Sequence, residues 1–295
     1  MGTVPVIFSC LSQYYLDWYG PYKILNGLVI WFQRPIIDIH QPITGLFNNP
    51  NYTGAWLSMI WPLSIAFLDN FKNKGTKLNF IISFIFNVLV ICSISLINSR
   101  GAWLGLLLSI PLVFGKNILF WFIPFCIFLF LFLIICILPI IPENIQSFFL
   151  FFAPKNLLTN FNSLSLSYEN IPRFLIFDKA LKLIIEKPFF GWGAGSFPLI
   201  FLLQTGEWKG HPHNLFLELS VSYGLINSIL IYSFIFLILI ISFRQIYKKK
   251  HSEIKFENAW WSSSLIFVVL QMFDIVYFDL RISILFWLLL AGLRN

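Results

Sequence analysis

From Leu78 to Ser99 the chain carries no charged side chain, and the same is true from Asn117 to Pro142 and from Leu219 to Phe243. Segments of this length and character match the hydrocarbon thickness of a bilayer, which takes about 20 apolar residues at a helical rise of 1.5 Å. A backbone in lipid must satisfy its own N–H and C=O groups, so such segments are helices. The remaining sequence cannot clothe them as a soluble core. Only 11% of residues are charged, 58% are hydrophobic and 35 are phenylalanine, whereas a soluble domain carries about 25% charged residues. The fold class this implies is an all-α polytopic membrane protein.

The chain in order refines that expectation. Residues 4–16 are apolar but too short for a span and read as the end of a helix whose beginning is missing. Residues 21–35 form a mixed aromatic stretch expected at the membrane interface, with Trp18, Tyr19 and Trp31 as anchors. Gly45 to Asn51 is a turn-rich loop leading into a span at 52–69. Further spans are expected at 78–98, 101–115 and 117–141, then at 214–243 and 259–280, with a short or re-entrant one at 282–293. That gives seven to eight transmembrane helices in a single membrane domain, 1–295, with one long polar loop at 142–212. The lysines and arginines behind the net charge of +7 sit in short turns at 70–77, 116 and 244–257. They point to cytoplasmic loops rather than to nucleic acid. An even number of crossings separates these turns, so Arg100, the 142–212 loop and His213 fall together on the opposite, periplasmic face. Cys10, Cys92, Cys126 and Cys136 all lie in apolar segments without metal-ligand spacing and read as small buried hydrophobes.

Within the loop, Arg173 to Lys187 has an amphipathic helical pattern, with Asp178, Lys182 and Glu186 on one stripe and Phe174, Leu175, Phe177, Leu181, Ile184 and Ile185 covering the rest. Pro188 ends it, and the helix is expected to lie flat on the membrane. Gly191 to Gly195 lacks the strand and lysine of a nucleotide loop and reads as a tightly packed turn. The polar residues that remain are the candidates for chemistry. Arg100 at a hairpin tip is either a snorkelling helix end or a guanidinium for a diphosphate. Arg173 opens a helix, where the macrodipole disfavours a cation, so an anion-binding role is the reason to place it there. His213 either caps the next helix or acts as an acid–base group. Beside it stand His211, Asn214 as an orienting amide and Glu218 as an imidazole partner. Asp274 and Asp279, near the end of a late span, are costly in a membrane and rank lower, because pairing with Arg281 would explain them.

Four segments in order resemble the O-antigen ligase and O-antigen polymerase superfamily: GLFNNPN at 45–51, SRGAWLG at 99–105, Arg173 through EKPFFGWGAG at 186–195, and HNLFLELSVSYG at 213–224. Members of that superfamily usually carry several more spans before the segment corresponding to residue 1. The resemblance implies a GT-C-like, metal-independent glycosyltransferase without a cofactor, acting on the periplasmic side of the bacterial inner membrane. Its donor is a glycan on undecaprenyl diphosphate and its acceptor lipid A-core or another glycan, with membrane lipids around it. By position His213 is implied as the essential base and Arg100 and Arg173 as the essential arginines, with Asn51, His211, Asn214 and Glu218 expected at the substrate. A polymerase would use the same residues. An anion transporter, for instance of inorganic carbon, is the competing class. The charged residues gather on one face and no inverted repeat is found, which argues for an enzyme. An inactive remnant or a subunit is a further alternative.

Overall fold

The computed structural model describes residues 2–36, 41–115, 118–137, 173–248 and 254–293. They fall into two compact units, one built from 1–113 with 173–295 and the other from 114–172. In the second unit, α5 (Leu119–Ile137) is described, while 142–172, most of the expected loop, lies outside the described residues.

The first unit opens with α1 (Val4–Tyr15) and a two-stranded antiparallel ribbon, β1 (Tyr22–Ile24) and β2 (Val29–Trp31), with Tyr22 opposite Trp31. The ribbon departs from an all-helical reading. Its signal was present in Asn26-Gly27, both at positive φ, the pair that primed hairpin turns favour.

Next come α2 (Pro50–Lys74), α3 (Lys77–Ile97) and α4 (Arg100–Phe114). Asn49 caps α2 by accepting from the backbone N–H of Asn51 and Tyr52, and Pro50 takes the first position, where no donor is needed. Asn98, left-handed at φ 54, ends α3, so α4 begins two residues later. A Cβ on Gly54 would stand 2.9 Å from the Ala102 Cβ, and one on Gly105 2.8 Å from the Ser58 Cβ, so α2 and α4 approach closely only because both are glycine. Ser58 donates across that contact to the Ala102 carbonyl at 3.1 Å.

The amphipathic pattern is a helix, α6 (Arg173–Glu186), followed by α7 (Ser196–Thr205). Ile176, Ala180, Leu183 and Ile184 are buried, while Phe174 and Ile185 are exposed. The stretch expected as one span from 214 to 243 is two helices, α8 (Leu215–Tyr223) and α9 (Leu225–Lys248), broken at Gly224. The glycine-rich turn fills the break. Trp192 and Gly193 donate to the Val221 and Ser222 carbonyls, and Leu225 donates to the Pro188 carbonyl at 2.7 Å. The interruption therefore leaves few orphaned backbone groups.

The expected span at 259–280 also ends early. Here α10 (Ile254–Leu270) stops before a turn, and α11 (Leu280–Gly292) follows a short 3-10 turn at Val276–Phe278. Asp274 consequently lies in a loop rather than in a helix. Two helices, Lys77–Ile97 and Leu225–Ile246, are long and apolar enough to cross a membrane. Together with the composition they make this a membrane protein.

Candidate functional site

Three chain segments meet around Asp274. The first turn of α2 brings Asn51, whose amide donates to Asp274 Oδ2 at 2.6 Å. The turn into α4 brings Ser99, whose hydroxyl lies 3.1 Å from Asn51 Oδ1 and donates to it. The loop before α8 brings His213, whose Nδ1 is 3.1 Å from Asp274 Oδ1. A carboxylate only accepts, so this contact puts the proton on Nδ1 and leaves the Nε2 lone pair free. Nε2 has no hydrogen-bond partner among the described residues.

The loop is pinned where it needs to be. Leu215 donates its N–H to the Gln271 carbonyl at 2.9 Å, and the Asn214 amide lies 3.4 Å from the Met272 carbonyl. His213 itself is held at φ 54, a left-handed conformation uncommon for a non-glycine residue and found where surroundings over-determine the backbone. Its N–H donates to His211 Nδ1 at 3.2 Å. His211 therefore carries its proton on Nε2, which stands 3.6 Å from Asp274 Oδ1. Burial lowers the His211 pKa, against the opposing pull of Asp274, and keeps the ring neutral. Burial alone would raise the Asp274 carboxyl. The His213 hydrogen bond, the electrostatic pull of the two nearby imidazoles and the Asn51 amide outweigh it and hold Asp274 below its ordinary value.

Beside Asp274 opens a cavity of about 400 Å³, lined among others by Asn51, Ser99, Arg100, Arg173 and Phe273. Both arginines are exposed, and neither guanidinium has an ion pair or hydrogen bond among the described residues. The first turn of α4, from Arg100 to Ala102, lines the same cavity, and the backbone N–H groups of a helix start have no partner within the helix. Two unengaged guanidiniums and a helix N-terminus have the chemistry to take a multiply charged anion, and the carboxylate that holds the His213 imidazole lines the same cavity.

The structure thus brings together Arg100, Arg173, His211, His213 and Asn51 from the sequence candidates, and it reassigns others. Asn51 contacts the carboxylate, so its side chain positions Asp274. Asn214 is the N-cap of α8, accepting from Leu217, and does not orient the imidazole. Glu218 is buried and takes a hydrogen bond from the Ser222 hydroxyl at 3.1 Å, so it is not the imidazole's partner. That partner is Asp274, which ranked low because pairing with Arg281 would have explained it. Asp279 does pair with Arg281, at 2.6 Å.

A family profile described as O-Antigen ligase matches residues 85–232. The ComP-specific O-oligosaccharyltransferase of Acinetobacter baylyi is 30% identical over 200 residues, covering 59% of this chain and 32% of that protein. The matched region is therefore about a third of the relative's length. No solved structure matches the chain.

Proposed function

This chain belongs to the O-antigen ligase family, and on that footing we propose that it transfers a glycan from undecaprenyl diphosphate to an acceptor hydroxyl at the periplasmic face of the bacterial inner membrane. The observation that carries the reading is the pairing of an oriented imidazole, His213 on Asp274, with a two-arginine cavity that the same carboxylate lines. His213 Nε2 takes the proton of the acceptor hydroxyl as its oxygen attacks the anomeric carbon. The bond from that carbon to the diphosphate oxygen breaks, and Arg100, Arg173 and the α4 N-terminus receive the charge that develops on the leaving group. Asp274 stabilises the imidazolium, and Asn51, itself held by Ser99, holds Asp274. The cations in this scheme are side chains, so it needs no divalent metal.

Seven to eight crossings with the site facing the periplasm fit this reading. So does the Lys255–Asp69 ion pair, which joins the start of α10 to the far part of α2, away from Asn51 and Leu270. Lipid A-core is the acceptor this reading favours. A protein hydroxyl is the second reading, supported by the oligosaccharyltransferase relative.

The test is an envelope glycan gel on a deletion strain complemented with the wild-type chain or with His213→Ala. Core without polymer, with long glycan held on the lipid carrier, supports ligation. Core bearing one repeat points to polymerisation instead, and loss of glycan from a protein band points to the second reading. Unchanged glycans remove the transferase reading, and rescue by His213→Ala removes the general base.

A further inference from the structure

We propose that His211, His213 and Asp274 also form a binding site for a zinc-like divalent cation, and that its occupancy switches off the base at His213. The first half stands on geometry alone; the second rests on the transferase reading above.

One ligand atom from each of the three residues lies within 4.8 Å of the other two. Asp274 Oδ1 is 3.1 Å from His213 Nδ1 and 3.6 Å from His211 Nε2. Tetrahedral zinc with bonds of about 2.0–2.2 Å holds its ligands roughly 3.3–3.6 Å apart, so a small adjustment of the 211–213 loop closes the set. The orientation of the carboxylate is already decided. Asn51 donates to Oδ2, the outer-shell bond that ligating carboxylates ordinarily have, and Oδ1, which also accepts from the Ile275 N–H at 3.0 Å, is turned to both imidazoles. The side chains are 19%, 29% and 12% exposed, open enough for an ion to enter and for water to fill the fourth position.

A neutral imidazole has one ring proton, and a cation on His213 Nδ1 leaves that proton on Nε2. The lone pair that would accept the hydroxyl proton is then gone, with no net proton released. On His211 a cation at Nε2 moves the proton to Nδ1 and displaces the N–H of His213, so binding must shift the 211–213 loop. Two of the three ligands are imidazoles, so the ion must bind nitrogen well. Zinc satisfies this requirement; magnesium and calcium, which take oxygen ligands, do not.

The experiment uses the full chain in detergent, stripped with chelator, and equilibrium dialysis against Zn²⁺ alone at neutral pH. The expected result is one ion per chain at roughly micromolar concentration, with His211→Ala and Asp274→Asn each weakening binding by about tenfold or more. Replacing His40 and His251 together leaves the stoichiometry at one, and millimolar Mg²⁺ does not compete. Circular dichroism melting of each variant checks that it is folded. No binding at about 100 μM Zn²⁺, or unchanged binding in both ligand variants, overturns the site.

A second arm measures glycan transfer with and without saturating Zn²⁺. Wild type is expected to lose about tenfold or more and to recover on chelation, while His211→Ala changes less than about twofold from its own metal-free rate. Zinc bound at the three residues with wild-type transfer unaffected overturns the switch, and a chain inactive throughout overturns the transferase reading while the dialysis still decides the site.

Discussion

Asp274→Asn separates what the carboxylate does for the fold from what it does for the reaction. The new amide can still accept from His213 Nδ1, and Asn51 can flip so that its oxygen meets the new NH₂. Ser99 can follow, because a hydroxyl both donates and accepts. The fold is therefore expected to lose less than about 1 kcal/mol. Transfer is expected to fall by about 10²-fold or more, because the imidazolium loses its counter-charge. Asn51→Leu should behave in the opposite sense. It leaves Asp274 Oδ2 and Ser99 without partners, at about 1–3 kcal/mol of stability, and lowers transfer through the drift of Asp274. Denaturation and transfer rates on both variants check the contrast; equal losses of activity and stability in the two would count against a positioning role for Asn51. Arg100→Lys keeps the charge but loses the planar fork, and transfer should drop about tenfold to a hundredfold. At this scale the sequence revealed the arginines and the histidines but not Asp274. A residue 61 positions from His213 has no local pattern to mark it, and an isolated carboxylate beside Arg281 invited the wrong partner. Asn51 was visible within its motif, yet its role depends on two long-range contacts.

Among the elements, the break between α8 and α9 is where the local rules matter most. Gly224 has φ +86, and a Cβ there would lie 2.0 Å from the Phe189 carbonyl oxygen. Gly191 has φ +68, and a Cβ there would lie 2.6 Å from the Val221 carbonyl oxygen. The 188–195 turn seats in the gap only because both residues lack a side chain, and Lys187 lies over the Trp192 ring at 3.9 Å as a further clasp. Gly224→Ala is expected to destabilise the protein by about 3 kcal/mol or more, combining backbone strain with a backbone clash. Gly210→Ala, with open space around it and no positive φ, should stay within about 0.5 kcal/mol. Melting temperatures in detergent decide it, and a small effect at Gly224 would mean that the turn does not seat as described. The apolar run over 214–243 hid this break, because hydropathy registers composition and a single glycine barely changes it. The packed reading of the glycine turn was legible for the converse reason: three glycines in five residues, without a lysine, leave little but close approach. The Asn26-Gly27 ribbon was equally legible but was masked by the surrounding aromatics.

At the scale of the whole molecule, the lysine-rich turn after α2 and the candidate site occupy opposite ends of that helix. This helix, Pro50–Lys74, has 25 residues or roughly 37 Å of rise, with Asn51 in its first turn at the cavity. The Asp69–Lys255 pair then sends α10 back toward Asp274. The lysine-rich turn at 72–77 therefore lies near one end and the arginine cavity at the other, an arrangement that charge bias on loops translates into a membrane orientation. Single cysteines in a background with Cys10, Cys92, Cys126 and Cys136 replaced by Ala would test that orientation directly. Lys209→Cys, in the loop before the histidines, is expected to react with a membrane-impermeant maleimide in intact cells with a permeable outer membrane. Lys72→Cys, in the basic turn, is expected to react only after the inner membrane is opened. Labelling of both in intact cells would mean that the two ends are not on opposite faces. The reversed pattern would put the cavity in the cytoplasm, where a periplasmic acceptor could not reach His213, and the proposed reaction would have to be given up even with its geometry intact.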